Sequence, residues 1–420
     1  MAYGYRYGQD YGMDITDTRQ KIDFDQMRKY KLDRARAQIQ KDGLGAVLLY
    51  EPCNIRYTSS FSVPAYARGM LSKFYVLLPK NGEPYFFASK PIDEIHREQM
   101  PWLNVKPSGA DTDWRIRQGA KFFAGEYEKE IADILYEHGV NNEPLGLDSL
   151  AAGSVFALIE AFKRVDLKLV DARGTMLEAR KIKSLDEIEC MRMSHAIAEA
   201  AQAEARDIIR PGITEKEVAG AMMNKLLSMG AEWVDGFVVV SGPNSSPCRK
   251  TFTDRIIRAG DMVMVDVVGS QFLGYRTCVY RCFTCGRATQ EQKELWNETR
   301  DLVRAAMSKC KAGNTSADVV SVWPGPEYWG YALEDVHILW QTCVVHGLGL
   351  SQYDLPRFGI ITGKEEPILI EENMVMAVEV NSFKKGGRQG CQMEEVIAVK
   401  KDGYDQLSTF PSDELIECWI

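Results

Sequence analysis

The sequence predicts an α+β protein with two domains. Its 420 residues are more than a single hydrophobic core ordinarily organises. Between residues 25 and 175, helical and strand patterns alternate, which indicates an α/β domain. After Arg180 the pattern changes to two rounds of paired helices followed by apolar strands. This second pattern indicates an internal duplication, with a β-sheet backed by helices.

The N-terminal part begins with residues 1–22, which are rich in Tyr, Gly and Asp and which we predict to form an extended arm. Residues 23–178 are predicted to form the first domain. Apolar spacing predicts helices at 24–41, 126–139 and 153–164. Short apolar runs predict strands, including a hairpin around Lys80-Asn-Gly, which is a strong turn signal.

Residues 179–420 are predicted to form the second domain. Ser184 with Glu187, and Thr214 with Glu217, have the spacing of a capping box, which marks the start of a helix. The helices they open are predicted to run to about residue 209 and to just before residue 230. Further helices are predicted at 290–311 and 316–322, and strands at 236–241, at 262–268 and near the C-terminus.

Composition argues against several classes of protein. A net charge of -8 does not fit a nucleic-acid-binding surface. No apolar run approaches the roughly 20 residues of a membrane span, and the N-terminus lacks the apolar segment of a signal peptide. Ten cysteines in such a chain are typical of reduced thiols. We therefore expect a cytoplasmic protein without a nucleic-acid or membrane partner.

Four ionisable residues stand within apolar segments of the second domain: Asp266, His346, Glu379 and Glu394. A carboxylate inside a buried strand costs several kcal/mol unless a cation or hydrogen-bond donors satisfy it. Four such groups on four segments are explained most simply if they face one another. The sequence therefore predicts that they share one positive guest, either a metal ion or a cationic metabolite.

The order of several motifs resembles that of the pita-bread hydrolases, which include creatinase, prolidase, aminopeptidase P and methionine aminopeptidase. These motifs are Arg210-Pro-Gly-Ile-Thr, Ser241-Gly-Pro-Asn-Ser, Gly260-Asp-x-Val-x-x-Asp266, His346-Gly-Leu-Gly-Leu and Glu394-Glu. The resemblance implies a pita-bread C-terminal domain preceded by an α/β creatinase-type N-terminal domain. It also implies a homodimer.

The resemblance further implies a metal site. Peptidases of this family hold two divalent ions with two Asp, one His and two Glu, and Asp266, His346, Glu379 and Glu394 match four of these positions. Cys278 stands at the position of the bridging Asp. A thiolate ligates Zn or Fe well, yet a free cysteine on a strand is usually a small buried hydrophobe, so both roles stay open. The expected cofactor is Fe, Zn or Mn, present as one ion or none.

Two catalytic histidines of the peptidases are replaced in this chain, by Arg249 and Tyr353. Arg249 is either a salt-bridged surface residue or a bidentate clamp for a substrate carboxylate, and the resemblance favours the clamp. Tyr353 is either a packed aromatic residue or a general acid or hydrogen-bond donor. The chain thus retains most of the family's metal ligands and lacks its usual proton-handling residues.

Aromatic residues cluster in a stretch rich in Pro and Gly before His346. Among them, Trp329 and Tyr331 either pack a loop or surround an ammonium or sulfonium group of a substrate by cation–π contact. Weaker candidates of the same kind in the first domain are Tyr66, Arg68 and Trp114.

In local sequence the chain most resembles the dimethylsulfoniopropionate lyase branch, which cleaves a C–S bond with iron. We expect an enzyme that breaks a C–N or C–S bond in a small zwitterionic substrate, as a hydrolase or a lyase. Its proton transfers are expected from Glu379, His346 and Tyr353. Three alternatives stay open: a metal-free hydrolase similar to creatinase, an Xaa-Pro peptidase, and a non-catalytic protein that binds a small molecule.

Overall fold

The computed structural model describes residues 22–64, 74–88, 92–107, 126–149, 152–246, 249–332 and 343–420. Contacts within this part of the chain define two compact units, residues 23–180 and residues 181–420. The sequence predicted the boundary between residues 178 and 179. Nearly all of the predicted arm lies outside the described residues, as do Tyr66, Arg68 and Trp114.

The first unit contains a six-stranded mixed sheet with the spatial order β4-β3-β2-β1-β5-β6. Its strands are β1 (Ala46–Leu49), β2 (Phe74–Pro79), β3 (Tyr85–Ala88), β4 (Asn104–Pro107), β5 (Leu145–Leu147) and β6 (Leu169–Asp171). Its helices are α1 (Phe24–Lys41), α2 (Pro52–Ser59), α3 (Ile92–Gln99), α4 (Glu126–Glu137), α5 (Ala152–Lys163) and α6 (Arg173–Lys181). Strands β2 and β3 form the predicted hairpin.

Helix α1 shows how local sequence sets these elements. Asp23 caps its first turn, because its carboxylate accepts hydrogen bonds from the backbone amides of Asp25 and Gln26. Ala35 and Ile39, spaced four residues apart, are both completely buried. The helix therefore packs one apolar face inward, as its sequence period requires.

The second unit contains two sheets. A four-stranded sheet has the order β15-β9-β8-β7, and a five-stranded sheet has the order β11-β10-β12-β13-β14. The strands are β7 (Gly236–Ser241), β8 (Met262–Phe272), β9 (Tyr275–Cys285), β10 (Cys343–Gly347), β11 (Asp354–Gly359), β12 (Val375–Ser382), β13 (Cys391–Lys400), β14 (Gly403–Gln406) and β15 (Ile416–Cys418). The helices are α7 (Leu185–Ile208), α8 (Glu215–Ser228), α9 (Gln290–Met307), α10 (Ser316–Val320) and α11 (Thr362–Glu365).

Both predicted capping boxes are present, at Ser184 with Glu187 and at Thr214 with Glu217. The chain order is two helices and then strands, twice over, as the duplication predicted. One cluster of buried apolar side chains joins α9 to strands of both sheets. None of the described helices is long and apolar enough to cross a membrane.

Candidate metal centre

The β8–β9 hairpin supplies two of the predicted site residues. Asp266 on β8 lies directly opposite Tyr280 on β9, and Cys278 lies two residues before Tyr280 on the same face. The Cys278 Sγ atom is 3.8 Å from Asp266 Oδ1. Both side chains are buried, so neither is satisfied by bulk water.

The β12–β13 pair supplies two more, because Glu379 and Glu394 lie directly opposite each other. Like charges in this position destabilise a sheet. Glu379 is partly buried, and its Oε2 accepts a hydrogen bond from Gln392 Nε2 at 2.6 Å. Glu394 is completely buried, and neither of its oxygens has a hydrogen-bond partner among the described residues. An orphaned buried carboxylate requires an explanation, and binding of a cation is one.

His346 lies near the end of β10 and turns its imidazole toward Glu394. Its Nδ1 is 3.2 Å from the carbonyl oxygen of Gly347, and since a carbonyl only accepts, Nδ1 carries a proton. Nε2 is 3.4 Å from Glu394 Oε1, which is an ionic contact rather than a good hydrogen bond. A Cβ atom at position 347 would collide with the carbonyl oxygen of Leu355, so the strand can take this path only with glycine.

Three of these residues fit a single metal ion. Cys278, His346 and Glu394 each present one ligand atom, and the three atoms lie within 4.8 Å of one another. Sulfur, imidazole nitrogen and carboxylate oxygen together suit Zn²⁺ or Fe²⁺ better than Mn²⁺, which favours oxygen. Asp266 and Glu379 lie beside them, so the structure brings together all five residues considered as metal ligands.

Charge crowding perturbs Asp266 strongly. Burial, reinforced by the carboxylates of Glu394 and Glu379, raises the pKa of Asp266 well above its usual range. The Lys250 ammonium and a hydrogen bond with Tyr280 act in the opposite direction. The carboxylate is therefore in an environment that favours a nearby positive charge.

The three candidate ligands respond to the same crowding. Burial raises the pKa of the Cys278 thiol well above its usual range, and the nearby carboxylates add to this. Burial also raises the pKa of Glu394, although His346 beside it opposes the shift. Burial alone would lower the pKa of His346, but Glu394 and Glu379 raise it overall. A bound cation would relieve all three perturbations, because it stabilises the deprotonated form of each group.

Lys250, which the sequence did not single out, reaches this site. Its Nζ lies 3.1 Å from Gln392 Oε1 and 3.2 Å from the Tyr280 hydroxyl. The preceding residue, Arg249, is exposed, and no contact of its guanidinium with the cluster occurs in the described residues. The sequence singled out Arg249 because the family resemblance places a catalytic histidine at that position. Two adjacent cations in a loop have no periodicity that would have identified Lys250 as the one near the cluster.

Tyr353 lies at the edge of the cluster. The Tyr353 ring contacts the His346 ring edge-on, with 5.0 Å between the two ring centroids. The Arg357 guanidinium lies 4.7 Å from the centroid of the Tyr353 ring. The side chain is 50% exposed. Partial burial, with Cys278 nearby, raises the pKa of Tyr353 to about 12. Its hydroxyl therefore stays protonated at neutral pH and can donate a hydrogen bond.

The two aromatic candidates lie elsewhere. Trp329 is completely buried in the apolar cluster around α9, so its indole is not exposed to a substrate in this structure. Tyr331 packs against Phe383 at 5.9 Å between centroids and lies 5.9 Å from Lys385 Nζ. These positions favour the loop-packing role over substrate binding.

Comparison with known proteins agrees with this architecture. A sequence model of metallopeptidase family M24 matches residues 189–401, just over half of the chain. The chain belongs to metallopeptidase family M24. A model of the creatinase/prolidase N-terminal domain matches residues 31–182. The predicted α+β fold, with a pita-bread domain after a creatinase-type domain, is thereby confirmed.

Individual relatives fall into more than one reaction class. An Xaa-Pro dipeptidase of Pyrococcus furiosus is 27% identical over 362 residues, covering 80% of this chain and 97% of the relative. The dimethylsulfoniopropionate lyase DddP of Roseovarius nubinhibens is 23% identical over 416 residues, covering 93% of this chain and 87% of the lyase. The solved Xaa-Pro dipeptidase from Bacillus anthracis shares the fold, with a TM-score of 0.74 at 23% identity, over 93% of this chain and 99% of that one. The M24 protein described here is thus an enzyme of the hydrolase or lyase type, as predicted.

Proposed function

We propose that this M24 enzyme uses a divalent metal ion to cleave a C–N or C–S bond in a small zwitterionic substrate. The observation that carries the proposal is the convergence of Cys278, His346 and Glu394 within 4.8 Å, with both Glu394 oxygens unpartnered among the described residues. The relatives support keeping both C–N and C–S cleavage in the proposal, since one is named a dipeptidase and another a lyase.

The metal would be held by Cys278, His346 and Glu394, with Asp266 and Glu379 available as additional oxygen ligands. When bound, a divalent ion polarises a substrate oxygen or lowers the pKa of a coordinated water. The His346 tautomer suits this role, because its protonated Nδ1 is held by the Gly347 carbonyl and its Nε2 faces Glu394.

Two side chains are placed to move protons. Glu379 is only partly buried, and one of its oxygens is fixed by Gln392, so the other can accept a proton from water or from a substrate carbon. Tyr353 is half exposed beside His346 and keeps its proton at neutral pH, so it can donate to a leaving group. These roles replace those of the histidines that the family resemblance implies.

Substrate charge is matched by the charges around the site. The crowded carboxylates attract an ammonium or sulfonium group. Arg249, exposed next to Lys250 in the chain, is proposed to hold the substrate carboxylate. Such a division of charge fits a small zwitterion and would disfavour a substrate that lacks either end.

The direct test combines metal counting with a substrate panel. Protein purified without chelator should contain about one equivalent of Zn or Fe, and a chelator should abolish turnover until metal is restored. The panel contains X-Pro dipeptides, sulfonium carboxylates, betaines and guanidino acids. Turnover of one class identifies the bond cleaved, and the products distinguish hydrolysis from elimination.

A metal-free reaction is the rival that one observation favours, since the His346–Glu394 contact at 3.4 Å can also hold a protonated imidazole. Full turnover at less than about a tenth of an equivalent of metal would establish it. In that case H346N should abolish turnover, and chelators should have no effect. Thermal stabilisation by a panel compound without any turnover would instead indicate a binding protein.

We also propose that the protein is a homodimer, as the family resemblance implies, and that it is cytoplasmic. The nine cysteines in the described part of the chain are free thiols, which suits a reducing compartment. Light scattering should give twice the 47.4 kDa mass of one chain. A mass equal to that of one chain would contradict the dimer.

A further inference from the structure

Lys250 lies close to Asp266 and Glu379, the two carboxylates of the cluster that are not among the three candidate ligands Cys278, His346 and Glu394. Its Nζ lies 3.1 Å from Gln392 Oε1, and Gln392 Nε2 donates to Glu379 Oε2 at 2.6 Å. Its Nζ also lies 3.2 Å from the hydroxyl of Tyr280, the residue directly opposite Asp266 on the neighbouring strand, and both Tyr280 and the Lys250 charge lower the pKa of Asp266. A single neutral group thus separates one ammonium from each of two carboxylates.

The Tyr280 ring gives the ammonium a further contact. The Lys250 Nζ lies 4.8 Å from the ring centroid, a distance at which the electron-rich face of the ring attracts a cation. The lysine is therefore held by an aromatic face, a hydroxyl and an amide oxygen. Lys250 as a whole residue is exposed, and these three contacts fix where its ammonium lies.

The backbone also fixes Lys250 in place. Its φ angle is +49°, a conformation that residues with a side chain rarely adopt and that occurs preferentially at functional sites. On one side, the Arg249 amide donates to the Asn244 carbonyl at 3.1 Å. On the other, the Val239 amide donates to the Thr251 carbonyl at 3.2 Å.

A second divalent ion would find few ligands in the described residues. If one ion takes Cys278, His346 and Glu394, the remaining carboxylates are Asp266 and Glu379. One oxygen of Glu379 already accepts the Gln392 hydrogen bond. A divalent ion at these two carboxylates would have one carboxylate fewer than with an aspartate at position 278, and it would face the Lys250 ammonium, which repels it.

We propose that Lys250 replaces a second metal ion, so that the centre binds one divalent ion and the ammonium neutralises and orients Asp266 and Glu379 beside it. Lys250 is then a positioning residue that acts through Gln392 and Tyr280. The inference rests on the metal site of the proposed function. The role proposed for Lys250 does not depend on which substrate is bound, so counting bound metal tests that role separately from catalysis.

The test counts Zn²⁺ by calorimetry and elemental analysis in four proteins: wild type, K250A, C278D and the double variant C278D/K250A. Wild type and C278D should each bind one Zn²⁺ per chain. The double variant should bind two, because it has both a new carboxylate ligand and no ammonium. The second Zn²⁺ should bind the double variant at least about tenfold more tightly than it binds C278D.

R249A is the matched control, because it removes a positive charge at the adjacent residue, whose side chain has no described contact with the cluster. It should bind one Zn²⁺ and should stay at one when combined with C278D. If K250A fails to fold by circular dichroism, K250M keeps the side-chain length over Tyr280 and replaces it in every comparison.

Two Zn²⁺ ions in the wild type would overturn the proposal. Equal binding of a second ion by C278D and C278D/K250A would overturn it as well, and so would a double variant that binds only one. A wild-type protein that folds but binds no Zn²⁺ or Fe²⁺ would contradict the metal site itself, and with it the proposed function.

Discussion

Glu394 and Glu395 are neighbours on β13, yet their surroundings differ. Glu395 accepts hydrogen bonds from Arg281 Nη2 at 3.0 and 2.9 Å and one more from Ser408 Oγ. Glu394 points to the opposite face and is equally buried, but among the described residues neither of its oxygens has a hydrogen-bond partner, and Oε1 has only the 3.4 Å ionic contact with His346 Nε2. Its neighbour across the strand pair is another carboxylate, Glu379.

The contrast separates a structural carboxylate, Glu395, from a proposed metal ligand, Glu394. The Glu395–Arg281 pair is internally neutral, and Arg281 also donates to the Glu394 and Phe410 carbonyls, which ties β9 to β13. Glu394 has no such arginine partner among the described residues, and we propose that a bound cation accounts for it. Because side chains alternate along a strand, one strand serves both purposes.

The largest expected effect is on the structural side. E395Q removes the charge that balances the buried Arg281, so it should lower the free energy of unfolding by about 3 kcal/mol. Denaturant unfolding of the metal-free protein measures this. The bound metal per folded chain should not change, and a loss below about 1 kcal/mol would mean that the pair is not essential to the packing.

The same substitution at the preceding residue, Glu394, should leave stability intact and weaken metal binding. E394Q removes a buried charge that has no hydrogen-bond partner among the described residues and lies opposite Glu379, so the stability of the metal-free protein should stay equal or rise. Its affinity for Zn²⁺ should fall at least about 100-fold, because a ligand is lost. Competition with a chelating dye measures the affinity. Unchanged affinity together with reduced stability would reverse the roles assigned to the two glutamates.

The buried residue His195 provides a prediction about pH. Burial, with Arg281 and Arg192 nearby, lowers the pKa of His195 to about 3, and its Nδ1 lies 2.6 Å from Thr277 Oγ1. The unfolded chain takes up this proton below about pH 6.5, whereas the folded chain does not, so stability is lost as pH falls from there toward 3.

H195Q removes this dependence. Between pH 7 and pH 5, the wild type should lose about 2 kcal/mol more stability than H195Q does. Denaturant unfolding at the two pH values measures the difference. Parallel losses in the two proteins would show that His195 is protonated in the folded state.

The smallest expected effect concerns Tyr353, which borders the cluster without being a candidate ligand. Y353F should reduce kcat about tenfold, because the leaving group loses a hydrogen-bond donor. Stability and bound metal should not change, since the hydroxyl is not part of a described hydrogen bond. An unchanged kcat on the substrate found in the panel would leave Tyr353 as a packed aromatic residue.

Local signals carried most of the fold prediction. The predicted helix at 24–41 and strand at 236–241 have the observed bounds, because the apolar spacing that predicts each of them is contained in the segment itself. Strand β8 runs to Phe272 rather than to residue 268, with an irregular register between Val268 and Gln271. An irregularity of this kind breaks the alternation that a sequence pattern depends on.

Part of the candidate site could be predicted from the sequence, for a different reason. Asp266, Glu379 and Glu394 stand out because charge inside an apolar strand is rare and costly. Lys250 and Gln392 gave no such signal, since a lysine in a loop and a neutral amide are ordinary in most surroundings. Their importance depends on contacts between distant segments, which only the folded chain displays.

Anomalous diffraction from crystals grown with Zn²⁺, collected at the zinc edge, tests the central claim most directly. The account predicts one peak per chain, within bonding distance of Cys278 Sγ, His346 Nε2 and a Glu394 oxygen, with the Lys250 ammonium still beside Gln392 and Tyr280. A second peak between Asp266 and Glu379, or no peak at the cluster, would contradict it.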